Sequence, residues 1–351
     1  MTILITGVGA VGSHVAAKLQ SLGERVVLYD LKPQAEFIGT LVDLKQATVV
    51  VGDVNDLDLL GATIRAEQVE TIVHLAGFLT RDLLKNPYGG ATLNVLGTAS
   101  VLEAARRNGV RRVVFTSTRG VNQIAPSPAD RGPLSVDFQM RVLSDRPKTM
   151  YELTKLTGEY LGLLYGDNYG LEFVALRLGG GFGPTPGPPS GLTGGVLRPL
   201  VYGAVADVPV VISDPKLTYA GRHEFIYFKD DAEALALACT RQGLKQRVYN
   251  IRMTATYSYD EVVETVRQVI PGAQIRNEAS ATMSMSPGRA PREDFADTTA
   301  AREELGWSPA YDLAAGIRDW VHWIRAHDSA RPRARAEPTP PAGQNGREGP
   351  A

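Results

Sequence analysis

Near its start the chain places a strand directly before a glycine turn. Thr2-Ile3-Leu4-Ile5 is a β-branched and aliphatic run, and the residues after it hold Gly7, Gly9 and Gly12 in the spacing G-x-G-x-x-G. Val11, Val15, Ala16 and Leu19 then recur at helical spacing. Strand, tight turn and helix in that order limit the possible folds more than any other feature of the sequence. The first glycine of such a turn permits the bend, the second lets backbone approach a phosphate, and the third lets helix pack on strand. The helix N-terminus then faces an anion. Taken alone, the pattern fits a glycine turn without a ligand equally well.

The next strand shifts that balance. Glu24 to Asp30 follows a helix stop at Gly23 and ends in a carboxylate eighteen residues after Gly12. A carboxylate there accepts both hydroxyls of an adenosine ribose and repels a 2'-phosphate, which favours NAD over NADP even with Lys32 nearby. Two further apolar runs, Ala47 to Asp53 and Thr71 to Gly77, read as parallel strands buried on both faces. Helical segments separate the runs, giving a β-α-β-α-β order and a doubly wound parallel α/β sheet. Gly7, Gly9, Ala10, Val11, Gly12, Asp30, Asp53, Val54, Leu75, Ala76 and Gly77 are the expected dinucleotide contacts. His74, between Val73 and Leu75, reads as an interior histidine rather than a catalyst.

With 351 residues, 44% hydrophobic and 21% charged, and a formal net charge of −1, the chain has neither the basic excess for nucleic acid nor an apolar run able to cross a bilayer. A single cysteine, Cys239, excludes intramolecular disulfides and a zinc-cysteine cluster, and no metal site is expected. No charged leader with an apolar core precedes the first strand, so a cytoplasmic protein is expected. After Asp328, Pro, Gly, Arg and Glu replace the large apolar residues, the composition of a disordered tail over 327–351.

Chemistry gathers further along. Asn94 to Gly109 reads as a long helix, followed by the strand Arg112 to Phe115 and three hydroxyls, Thr116, Ser117 and Thr118. In an open α/β sheet, ligands sit at the C-terminal ends of strands. About thirty residues on, "TMYELTKLTGEYL" places Tyr151 and Lys155 four apart, on one helix face. An ammonium near a phenol lowers its pKa, and with the Thr118 hydroxyl the pair makes a proton relay for an alcohol oxygen.

In order, "TGVGAVGSH", "GDVND", "IVHLAG", "NVLGT", "VVFTST", "YELTK", "ALRLGGGFGP", "HEFIYFKDDA", "YNI" and "DTTAAREELGWSP" resemble the extended short-chain dehydrogenase/reductase family, in its NAD-dependent epimerase/dehydratase group typified by UDP-galactose epimerase. The resemblance runs from Thr2 to about Ile324. It implies Tyr151 as acid/base, Lys155 on the nicotinamide ribose and Thr118 on the reacting oxygen. It also implies Asn94 and Thr116, beside Tyr151 and Lys155, among the NAD contacts. The implied layout is a Rossmann domain over 1–178 with a return segment at about 225–251, and a substrate lobe formed by 179–224 and 252–326. The glycine fingerprint is one residue shorter than is usual in this group. Gly180 stands where an Asn often contacts the substrate diphosphate, and Arg119-Gly120 replaces the acidic pair of the dehydratases.

The substrate residues expected are Thr118, Arg119, Gly180, Arg222 and Arg292, with His223 and Arg289 as further candidates and Gly181 to Gly195 as a glycine-rich lid. The expected activity is reversible hydride transfer at a secondary alcohol of a sugar or sugar nucleotide. An NADH-releasing dehydrogenase on a small hydroxy compound, similar to L-threonine dehydrogenase, is the alternative, and an inactive NAD-sensing scaffold is a third. A homodimer is expected, formed through the helices around Thr92 to Arg106 and Met150 to Tyr165.

Overall fold

The computed structural model describes residues 1–123, 135–137, 149–187, 192–215, 217–279 and 296–327. The strands are β1 (Thr2–Thr6), β2 (Arg25–Asp30), β3 (Ala47–Val51), β4 (Thr71–His74), β5 (Arg112–Thr118), β6 (Glu172–Leu178), β7 (Gly181–Phe182), β8 (Val210–Ile212), β9 (Ile226–Tyr227), β10 (Val248–Ile251) and β11 (Ile275–Asn277). The helices are α1 (Ala10–Ser21), α2 (Ala35–Ile38), α3 (Leu57–Glu67), α4 (Thr80–Lys85), α5 (Pro87–Ala91), α6 (Gly97–Arg107), α7 (Met150–Tyr169), α8 (Leu192–Val205), α9 (Phe228–Thr240), α10 (Tyr259–Val269) and α11 (Leu313–Ala326).

Seven strands form one parallel sheet in the order β10-β6-β5-β4-β1-β2-β3. From β1 the chain winds outward through β2 and β3, then returns to β4 and winds the other way. That reversal opens a crevice beyond the C-terminal ends of β1 and β4, where this class of sheet holds its ligands. β1 is buried along its whole length because helices cover both faces of the sheet. The expectation that β3 is buried on both faces is corrected: it is the edge strand, and Val49 and Val51 are exposed. Order within a sheet is a tertiary property that an apolar run does not reveal.

Helix α7 starts with a capping box, in which the Thr149 side chain accepts from the Glu152 amide and the Glu152 carboxylate accepts from the Thr149 amide. It lies unusually close to the sheet. A Cβ on Gly158 would fall 2.5 Å from the Phe115 ring, and one on Gly162 would fall 2.0 Å from that of Phe173. This close approach sets the first turns of α7 against the end of β5. The expected helix from Asn94 is a π-helical stretch, Thr92–Leu96, running into α6. β5 continues to Thr118, so the three hydroxyl residues belong to the strand itself.

Residues beyond β6 build a second core from Phe182, Leu197, Leu200, Phe225, Tyr227, Val262, Leu313 and Trp320. Asp230 joins this part to the sheet domain: its carboxylate accepts from the amides of Ala310 and Tyr311, and its carbonyl accepts from Trp307 Nε1. Among the described residues, no helix is long and apolar enough to cross a membrane. The expected tail lies outside the described residues beyond His327.

Candidate active site

The glycine turn closes one side of the crevice. Gly7 has φ +84°, and a Cβ on it would lie 2.5 Å from the Ala76 amide nitrogen, so turn and β4 loop touch through backbone. A Cβ on Gly12 would meet the Gly7 carbonyl oxygen at 2.3 Å. Gly9 is different: a Cβ there meets nothing within 4 Å. Gly9 is also the N-cap of α1, which has no side-chain cap and no acidic residue in its first turn. Open space before an uncapped helix N-terminus at Ala10 and Val11 is the cradle a pyrophosphate requires.

Asp30, at the end of β2, accepts the Val8 amide on Oδ2 and the Lys32 amide on Oδ1, each at 2.7 Å. Its carboxylate is thereby pinned beside the turn, with lone pairs remaining for ribose hydroxyls. Asp53 is exposed in an Asx turn with Asn55, and Val54 is buried behind it. Leu75, Ala76 and Gly77 form the partly exposed loop opposite the glycines. Asn94 is buried; its Oδ1 accepts the Phe78 amide, and its Nδ2 donates to the Phe78 carbonyl and to Thr154 Oγ1. It therefore clamps the β4 loop to α7.

Lys155 is buried and donates from Nζ to the Thr116 carbonyl at 2.8 Å, while the Thr116 hydroxyl donates to the His74 carbonyl. The ammonium lies 4.8 Å from the Phe115 ring centroid and 5.9 Å from that of Tyr151. Burial pulls its pKa down to about 8, partly opposed by the charge of Glu159 one turn on. Tyr151 is half-buried, and desolvation pushes its phenol up to about 12. The expected lowering by Lys155 is thus corrected for the protein alone: burial outweighs an ammonium several ångströms from the ring. Thr118 ends β5 with its hydroxyl accepting the Gly120 amide, and Gly120 packs against Glu152, the neighbour of Tyr151. Thr118, Tyr151 and Lys155 are therefore gathered where β5 meets α7. His74 is satisfied on both ring nitrogens, by Thr6 and Thr98, and burial holds its pKa down to about 3.

The substrate residues fare unevenly. Gly180 has a packing reason: a Cβ there would lie 2.6 Å from the Thr193 methyl, so no Asn fits without rearrangement. Arg222 is exposed, and all three of its guanidinium nitrogens bond to Thr256 and Glu261, making a local pair rather than an open anion grip. Arg289 and Arg292 lie outside the described residues. Of the expected lid, Gly181–Phe182 is strand β7 paired with β9 and α8 begins at Leu192, while 188–191 lie outside the described residues. His223 stacks edge-on against Tyr219, and burial, then the charge of Arg119, pulls it down to about 4.

Sequence reasoning missed Glu224, Asp231 and Arg252, all buried beside Gly179 to Gly181 or at the end of β10. It also missed Glu159 on α7, which pairs with Arg177 on β6 and accepts from Ser117. Charged residues inside or next to apolar strand runs, such as Arg177 in "FVALRL" and Arg252 after "VYNI", were the available signal.

Residues 3–251 match the model of the NAD dependent epimerase/dehydratase family. A UDP-glucose 4-epimerase of Halalkalibacterium halodurans is 29% identical over 345 residues, covering 93% of this chain and 96% of that protein. UDP-glucuronate 4-epimerase 6 of Arabidopsis thaliana is 25% identical over 361 residues, covering 96% and 74%. Among solved structures, MoeE5 in complex with UDP-glucuronic acid and NAD aligns with a TM-score of 0.73 at 26% identity, covering 93% of this chain and 99% of that one.

Proposed function

Because the chain belongs to the NAD dependent epimerase/dehydratase family, we propose that it inverts a secondary alcohol carbon of a sugar carried on a nucleoside diphosphate, by oxidising and re-reducing that carbon in one site. It is an NAD-dependent extended short-chain dehydrogenase/reductase. The observation that carries the reading is the gathering of Thr118, Tyr151 and Lys155 where the end of β5 meets the start of α7, beside a crevice whose glycine turn suits NAD. The names of the relatives, epimerases of UDP-sugars, support the choice of reaction over an NADH-releasing dehydrogenase.

The residues divide the work. Gly9 and the first amides of α1 would hold the pyrophosphate, Asp30 the adenosine ribose, and Lys155 the nicotinamide ribose. When bound, the nicotinamide supplies a hydride acceptor that later returns the hydride. The Thr118 hydroxyl holds the alcohol oxygen, and Tyr151 takes its proton as the carbon becomes a carbonyl, then gives a proton back as the alcohol re-forms on the opposite face. The phenol at about 12 rests protonated, so a positive charge brought close to it is needed for it to act as base. Lys155, still an ammonium at pH 7, is the protein's own contribution to that charge.

The same reading includes a homodimer. Leu96, Leu153, Tyr160 and Leu164, on the stretch leading into α6 and on α7, are 48–59% exposed, an apolar face that a second copy would cover. The test of function is to mix enzyme, excess NAD and UDP-sugars. Formation of the epimer without a stoichiometric rise in NADH absorbance is expected. Steady NADH accumulation as substrate is consumed would replace the epimerase with a dehydrogenase using the same three residues.

A further inference from the structure

Four residues past Lys155, one turn along the same face of α7, Glu159 is 2% exposed. A carboxylate stays so deep only where several donors hold it. Here they come from two strands: Ser117 Oγ on β5 donates to Oε1, while Arg177 on β6 donates from Nε to Oε1 at 2.8 Å and from Nη2 to Oε2 at 2.7 Å. Ser117 stands between Thr116, whose carbonyl accepts from the Lys155 ammonium, and Thr118. Lys155 and Glu159 are thus tied to consecutive residues of β5, and neither turns away without breaking a bond to the strand.

Burial works against the Lys155 ammonium, and the charge of Glu159 offsets part of that, leaving the pKa at about 8. The other groups around it do not supply an anion. On β4, His74 is buried and neutral at pH 7. Tyr151 on α7 is neutral too, because desolvation holds its phenol up to about 12. Arg177 gives Nε and Nη2 to Glu159 and Nη1 to the Val136 carbonyl. On the helices beside α7, Glu103 of α6 is taken up by Arg106 and Arg107, and Arg81 and Asp82 of α4 carry opposite charges. Beyond β5, Arg119 is paired with Glu224. Among the described residues, Glu159 is therefore the anion stationed one turn from Lys155.

We propose that Glu159 is a positioning residue for the reaction: from behind the site it keeps Lys155 an ammonium, and so maintains the charge that the nicotinamide ribose and the Tyr151 phenol require. It acts through Lys155 and touches neither cofactor nor substrate. Residues four apart on a helix have Cβ atoms about 5–6 Å apart, and an opposite charge at that range moves a pKa by roughly 1–3 units. Arg177 shares the carboxylate, so the effect falls at the lower end, about one pH unit. In Glu159→Gln the attraction is lost and the Arg177 cation is left without this carboxylate, and both changes favour the neutral amine. The assignment rests on the proposed role of Lys155 at the cofactor ribose and deepens it.

The test is the pH dependence of NAD affinity, measured by calorimetry on the full chain from about pH 6 to about pH 9. Wild type is compared with Glu159→Gln and with the double variant Glu159→Gln, Arg177→Gln, which removes the buried ion pair whole and covers the case in which the single variant does not fold. Lys155 binds as the ammonium, so affinity is full below its pKa and is lost as pH rises through it. The fall should be centred near pH 8 in wild type, about one pH unit lower in Glu159→Gln, and lower by a smaller step in the double variant. Relative to wild type, affinity in Glu159→Gln should drop by up to about 5-fold at pH 8 and stay within about 2-fold at pH 6. A wild-type profile flat over this range, an unshifted fall in the folded variants, or an equal loss at every pH overturns the assignment. Epimer formation from UDP-sugars over the same range separates the two readings. A shifted NAD profile without any turnover removes only the epimerase, whereas turnover with an unshifted profile removes only the role of Glu159.

Discussion

Replacing Gly9 with alanine tests whether the crevice is built for a pyrophosphate. Its φ is −79°, which any residue adopts, and the added Cβ would touch nothing in the protein. Gly9→Ala should therefore leave stability within about 1 kcal/mol of wild type, the loss of a flexible residue from the unfolded chain even helping slightly. Binding should respond strongly. A methyl in that space keeps the phosphates from the first amides of α1, and hydrogen bonds to a charged group contribute roughly 1.5–3 kcal/mol each. Losing one or two of them predicts NAD binding weakened by about 10-fold to 10⁴-fold.

Gly7→Ala is the control. Left-handed backbone costs a residue with a side chain roughly 1–2 kcal/mol, and its Cβ would lie 2.5 Å from the Ala76 amide nitrogen, where only backbone movement relieves the clash. Overpacking of that kind adds ~1–3 kcal/mol, so Gly7→Ala should lose stability and NAD binding together. Calorimetry with NAD and urea unfolding separate the two variants. Wild-type NAD affinity in a folded Gly9→Ala protein would refute the cradle.

Tyr151→Phe should reduce turnover by about 10²-fold to 10⁴-fold while NAD binding measured by calorimetry stays within a few fold; near wild-type activity would remove the phenol from the reaction. Burial holds His14 and His74 at about 4 and about 3, below the ordinary 6.5, so the unfolded chain takes up these protons first and the stability they withhold is lost as pH falls below 6.5. Urea unfolding at pH 7 and pH 5 should differ by roughly 2 kcal/mol per histidine, and a flat profile would contradict their neutral burial. Light scattering at micromolar concentration should give the mass of a dimer, and Tyr160→Glu, placed on the exposed face of α7, should shift it to that of a monomer.

What the sequence disclosed depended on the range of each interaction. Apolar runs and turn glycines are local, so β1, β2, β4 and the turn at Gly7 were legible. The edge position of β3 was not, because it depends on which strands pair. Tyr151 and Lys155 were legible through their spacing, yet the rise in the phenol pKa comes from burial, which spacing along one helix does not show. Arg222 showed its charge but not its partner, Glu261. Asn94 read as a cofactor contact, and the sequence did not show that its side-chain amide also ties Phe78 to Thr154, a pairing across the fold. Glu224 and Arg252 lie in separate segments, and nothing in either segment announces that they share an ion pair.

How each interior cation is neutralised distinguishes scaffold from site. Arg112 is buried and gives its guanidinium to Glu172 and to the carbonyls of Ala238, Cys239 and Arg241 at the end of α9. Arg177 is buried against Glu159 with two charge-assisted hydrogen bonds. Such pairs offset desolvation because the remaining polar atoms are bonded. Lys155 is buried to the same degree but, among the described residues, bonds only to the Thr116 carbonyl and has no carboxylate of its own. The carboxylate one turn along α7, Glu159, already belongs to Arg177 and Ser117; it slows the fall of the Lys155 pKa without quenching the ammonium. Lys155 therefore brings its charge to the crevice beside Thr118 and Tyr151, where the proposed reading gives it the cofactor ribose.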